Sequence, residues 1–114
     1  MKILFVEDNA NTARAMKVML ELRGYTVDTA GTVAKALECL DADGYDLMIS
    51  DISLPDGTGY DILSRTSADI PSIALSGYTS HADRAESLAK GFKEFITKPF
   101  NPDDLVGAIE RFKS

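Results

Sequence analysis

The chain has 114 residues, 45% of them hydrophobic, and a net charge of −6. That size and apolar content support one packed domain spanning residues 1–114 and argue against a disordered chain. The acidic balance and the lack of any basic run argue against direct nucleic-acid binding, and no stretch reaches the roughly 18 apolar residues of a membrane span.

Ile3–Val6 reads as a first strand, too apolar to have a wet face. Ala13, Met16, Met19 and Leu20 then recur at helical spacing, and Gly24 stops that helix. Tyr25–Ala30 alternates polar and apolar residues, as an edge strand does. Thr32 caps a second helix with Val33, Ala36, Leu37 and Leu40 on its inner face, ended by Asp43-Gly44. Leu47–Ser50 is the third strand, and Pro55-Asp56-Gly57 marks a turn in the loop that follows. A short helix around Tyr60, Ile62 and Leu63 comes next.

Pro71 opens the fourth strand. Ser80-x-x-Asp83 reads as a capping box for a fourth helix that stops near Lys90-Gly91. Phe92–Ile96 is the fifth strand, and Asn101-Pro102 begins a last helix with Leu105, Ala108, Ile109 and Phe112 inward. The pattern is (βα)₅, which predicts an α/β domain with a parallel sheet.

Polar groups follow four of the five strands. Glu7-Asp8 follows the first, Asp51 the third, Ser76 the fourth and Lys98-Pro99 the fifth, while the second ends in Ala30-Gly31. With right-handed crossovers, an order 2-1-3-4-5 puts the second strand at an edge and brings the other four ends together. Three carboxylates held side by side repel, by about 4 kcal/mol per pair at 4 Å and an effective dielectric near 20. Mg²⁺ offsets that repulsion best, being a hard cation that shares phosphate oxygens. There is no Cys/His cluster for zinc and no EF-hand loop for calcium. The remaining residue types suit phosphoryl transfer: Asp51 as nucleophile, with Lys98 and Ser76 on the phosphoryl oxygens.

The motifs Val6-Glu7-Asp8-Asn9, Ser50-Asp51-Ile52-Ser53-Leu54-Pro55-Asp56-Gly57, Ala74-Leu75-Ser76-Gly77 and Thr97-Lys98-Pro99-Phe100 occur in this order, each following its own strand. On them the chain resembles the receiver domain of two-component response regulators and hybrid histidine kinases over essentially its whole length. The resemblance implies a single flavodoxin-like domain with helices on both faces of the sheet. It makes Asp51 the phosphoacceptor, with Glu7, Asp8, Asp51 and the Ser53 backbone carbonyl holding Mg²⁺. It implies a cis Lys98–Pro99 peptide, and Ser76 with Phe95 as a switch acting on the face of the fourth helix, fifth strand and fifth helix. Phe95 lacks the hydroxyl of the commoner tyrosine, so such a switch is expected to work by packing alone. Ser53 and Tyr78 occupy the positions that tune dephosphorylation in the family.

The implied partner is a histidine kinase or histidine phosphotransfer domain, with the output partner unspecified. Dimerisation through the fourth and fifth helices occurs in some family members. Ala74–Tyr78 and Leu54–Gly59 look most like receivers of hybrid sensor kinases. A phosphohydrolase with an aspartyl nucleophile, a flavodoxin-type cofactor binder and a receiver used only for docking are the competing readings. The loop after the first strand is acidic, which disfavours the cofactor binder. His81 is expected on the surface of the fourth helix. Cys39 has no partner for an internal disulfide, and no secretory signal opens the sequence, so a cytoplasmic location is expected.

Overall fold

The computed structural model describes residues 1–77 and 81–113, with the backbone alone at 81–83. In chain order the first elements are β1 (Lys2–Val6), α1 (Ala10–Leu22), β2 (Thr26–Ala30), α2 (Val33–Ala42) and β3 (Leu47–Asp51). A two-strand hairpin follows, β4 (Ser53–Leu54) and β5 (Gly57–Thr58), leading into α3 (Gly59–Arg65). Then come β6 (Ser72–Ser76), α4 (His81–Ala89), β7 (Glu94–Thr97) and α5 (Pro102–Glu110). The fourth and fifth strands expected from the sequence are therefore β6 and β7.

The five long strands form a parallel sheet in the order β2-β1-β3-β6-β7. Ile3, Leu4, Phe5 and Val6 are all fully buried, so the sheet is covered on both faces. Alternation along each strand sorts side chains into two cores. Ile3, Phe5, Ile49, Ile73 and Leu75 pack with Leu20 of α1 and Leu105 and Ile109 of α5. Leu4, Val6, Met48 and Ala74 pack with Val33, Ala36 and Leu40 of α2 and Ile62 of α3. Among the described residues no helix is long and apolar enough to cross a membrane.

Several boundaries differ from the sequence reading. β3 runs one residue further, so Asp51 is paired with Leu75 and is held by the sheet rather than a loop. The expected loop after it contains the β4/β5 hairpin, closed by Ser53–Thr58 and Leu54–Gly57 pairing. Its turn residue Gly57 has φ +155, a conformation only glycine adopts readily. Pro71 precedes its strand, where its carbonyl accepts from Met48 N at 3.0 Å. Phe92 belongs to the close of α4, because its amide donates to Ser87 O across Gly91 at φ +115. The expected Ser80-x-x-Asp83 box and the His81 side chain lie outside the described residues.

Candidate functional site

Strand register decides what meets at the carboxyl end of the sheet. Val6 is level with Ser50 of β3, Ser50 with Ala74 of β6, and Ala74 with Phe95 of β7. Glu7, Asp51, Leu75 and Ile96 therefore occupy the next level up, with Ser76 and Thr97 above them. Lys98 follows Thr97, and its amide donates to Ser76 O at 2.7 Å. The Lys98–Pro99 peptide is cis. Glu7, Asp8, Asp51, Ile52, Ser53, Leu75, Ser76, Gly77 and Lys98 line one cavity of about 250 Å³.

Lys98 spans the width of this cavity. Its Nζ lies 3.0 Å from Glu7 Oε2 and 2.5 Å from Asp51 Oδ1. The first contact is a hydrogen bond. The second is an ion pair without hydrogen-bond alignment, and buried Asp51 Oδ1 has no hydrogen-bond partner among the described residues. Glu7 and Asp51 are each only 5% exposed, while Asp8 is exposed. The other oxygen of Glu7 accepts from Asn9 N at 3.1 Å.

This crowding splits the two buried carboxyls. Burial raises Asp51, its hydrogen bond with Glu7 raises it further, and Lys98 offsets only part, so its pKa is pushed up to about 7. Burial also acts upward on Glu7, but hydrogen bonds from Asp51, Lys98 and the Asn9 amide outweigh it and hold that carboxyl below its ordinary range. Burial pulls Lys98 down, and the two carboxylates more than reverse this, so its ammonium is held charged.

The donor set fits a hard divalent cation. Carboxylate oxygens of Glu7, Asp8 and Asp51 all lie within 4.8 Å of one another. Three carboxylates against one ammonium leave excess negative charge, and Asp51 Oδ1 is buried without a hydrogen bond among the described residues. All donors are oxygen, as Mg²⁺ requires.

Ser53 is exposed on β4, and Ser76 is buried at 6% exposure. Phe95 is buried one level below Asp51, in the core that includes Ala74 and Phe92. The Arg84 guanidinium lies 5.3 Å from the Phe95 ring centroid. The ring is thus engaged by a cation as well as by packing. Cys39 is half-buried on α2 with a free thiol. Tyr78 lies outside the described residues.

The sequence reading missed one contact network beside the site. Asp56, read only as a turn former, accepts from Val33 N at 2.8 Å and Ala34 N at 3.1 Å, joining the hairpin to α2. The Thr32 cap of α2 is legible in the sequence; the second acceptor at that helix end, over twenty residues away, is not.

The family described as "Response regulator receiver domain" matches residues 3–110. The transcriptional regulatory protein KdpE of Mycobacterium tuberculosis is 35% identical over 94% of this chain and 48% of its own length. The chain likewise spans about half the length of the regulators VanR, DltR and CtrA. Among solved structures, the chain is similar to the non-phosphorylated HemR receiver domain from Leptospira biflexa, at 31% identity and TM-score 0.87, covering 97% of this chain and 92% of that one. It is also similar to the receiver domain of sensor histidine kinase PA1611 from Pseudomonas aeruginosa, at 28% identity and TM-score 0.85, with coverages of 97% and 95%. That structure has a magnesium ion coordinated in its active site cleft.

Proposed function

This chain belongs to the response regulator receiver domain family, and from that membership we propose that residues 1–114 form one phosphoacceptor domain of a two-component system. The supporting observation is the convergence of Glu7, Asp8 and Lys98 on Asp51, from the ends of two other strands, in one cavity. Asp51 is the phosphoacceptor. One of its carboxylate oxygens attacks phosphorus while the bond from phosphorus to the donor imidazole nitrogen breaks, and the nitrogen keeps the electron pair. Lys98 and Ser76 neutralise and orient the phosphoryl oxygens.

Glu7, Asp8, Asp51 and the Ser53 carbonyl would hold Mg²⁺, which would supply positive charge that keeps Asp51 ionised and offsets the phosphoryl charge. The magnesium in the cleft of the PA1611 receiver supports this choice of ion. The donor is a histidine kinase or a histidine phosphotransfer domain, acting in the cytoplasm. The chain is not a multiple-turnover enzyme: it promotes its own labelling and its own hydrolysis.

Phosphorylation is read out by Ser76 and Phe95, which shift the population of the α4–β7–α5 face, a surface also suited to dimerisation. Ser53 and Tyr78 set the lifetime of the acyl phosphate, and Tyr78→Ala should shorten it. The Leu54–Gly59 and Ala74–Tyr78 motifs favour attachment to a hybrid sensor kinase.

The experiment is incubation with a phosphohistidine donor or acetyl phosphate, with and without Mg²⁺, followed by intact mass. Stoichiometric, Mg²⁺-dependent addition that is lost in Asp51→Asn is the expected result. Multiple turnover on a small phosphate ester would identify a phosphohydrolase instead, and no labelling at all would identify a docking module.

A further inference from the structure

The β4/β5 hairpin is tied down at both ends, and its tip is tied by one side chain. At its base, Ile52 N donates to Leu75 O at 3.1 Å and Gly59 N donates to Ile52 O at 2.8 Å. At its exit, Thr58 and Asp61 cap α3 reciprocally. At its tip, both carboxylate oxygens of Asp56 take the first two amides of α2, Val33 and Ala34. Thr32 takes the third, through Lys35 N at 3.0 Å. α2 is itself anchored in the core by Val33, Ala36 and Leu40.

We propose that Asp56 is a positioning residue for the cation site: by docking the hairpin tip onto the N-terminus of α2, it holds the Ile52–Ser53 wall of the cavity in place. Ile52 and Ser53 both line that cavity, four and three residues from the clamp respectively. A carboxylate suits the role because α2 presents two unpaired amides and the positive end of its dipole. Those amides also hold the Asp56 carboxyl below its ordinary range. Gly57 keeps the tip close, since a Cβ there would lie 2.5 Å from Asp61 Oδ2 and 3.3 Å from Val33 Cγ2. The proposal rests on the reading of the cavity as a divalent-cation site.

The test compares Asp56→Ala, Asp56→Asn and Thr32→Ala with the unmodified protein. Thr32→Ala removes a cap from the same helix without touching the hairpin, so it controls for a merely structural effect. Mg²⁺ titration followed by amide shifts should show roughly tenfold weaker binding in Asp56→Ala, the scale found when supporting residues of a metal site are lost. Asp56→Asn, which keeps one acceptor, should fall between, and Thr32→Ala should bind as the unmodified protein does. Hydrogen exchange over residues 52–58, measured without metal, should accelerate in Asp56→Ala alone. Equal affinity in Asp56→Ala and the unmodified protein, or equal losses in Asp56→Ala and Thr32→Ala, would overturn the proposal. If the unmodified protein binds no Mg²⁺, the cation reading fails by itself. The exchange measurement then decides the clamp: faster exchange in Asp56→Ala alone upholds it, and unchanged exchange overturns it.

Discussion

Lys98, at the end of β7, reaches past β6 to place its Nζ 2.5 Å from Asp51 Oδ1 on β3. The contact spans three strands and continues to Glu7 beyond β1. Because Lys98 makes two ion pairs with a single charge, neither carboxylate is fully neutralised. Burial is the largest cause of the raised Asp51 pKa, and the incompletely neutralised Glu7 beside it adds to the rise.

That pKa makes stability depend on pH with a definite sign. The folded value, about 7, exceeds the ordinary value of 3.8. Between those two values the native state holds a proton that the unfolded chain has released. Metal-free stability should therefore fall as pH rises through this window. Asp51→Asn should differ little from the unmodified protein near pH 4. It should be more stable by on the order of 4 kcal/mol at pH 8, given a shift from 3.8 to about 7 and about 1.4 kcal/mol per pKa unit. Urea unfolding at both pH values, with chelator, measures this, and a gap that stays constant with pH would contradict it. Saturating Mg²⁺ should narrow the gap at pH 8 by stabilising the ionised site.

Lys98→Met removes the ammonium that lowers Asp51. The Asp51 midpoint should rise above its present value of about 7, visible in carboxyl carbon shifts against pH. Labelling by acetyl phosphate at neutral pH should fall on the order of 100-fold, as when one charge-stabilising donor is lost. An unmoved midpoint would show that Lys98 does not neutralise Asp51.

Two glycines should respond in opposite directions to alanine. A Cβ on Gly59 would lie 2.8 Å from Asp51 O and 3.2 Å from both Phe92 Cζ and Ser50 Oγ. Gly59→Ala should cost roughly 1–3 kcal/mol by overpacking and displace the backbone of Asp51. A Cβ on Gly107, inside α5, would meet nothing within 4 Å. Gly107→Ala should stabilise by roughly 0.5–1 kcal/mol through helix propensity. Chemical denaturation midpoints of the two variants check both signs.

Tyr60 on α3 and Ser87 on α4 share a 2.9 Å hydrogen bond, with Ser87 fully buried. A double-mutant cycle of Tyr60→Phe and Ser87→Ala should give a coupling of about 1 kcal/mol. A coupling indistinguishable from zero would mean that α3 and α4 are not held together by this pair.

The sequence alone determined the five long strands, the five helices, their order in the sheet and the residues at its carboxyl edge. These depend on local signals: apolar runs, caps and polar residues one step past each strand. The receiver family was legible for the same reason, since its motifs are short and contiguous. Tertiary structure decided what depends on register and distance. Local propensity cannot show that β3 extends through Asp51 by pairing with Leu75, nor that Gly57 folds the following loop into a hairpin. Nor can it show that Asp56 caps a helix from which it is separated in sequence, or that Arg84 covers Phe95. The raised pKa of Asp51 has the same origin, because desolvation and neighbouring charge exist only once the chain has closed around the site.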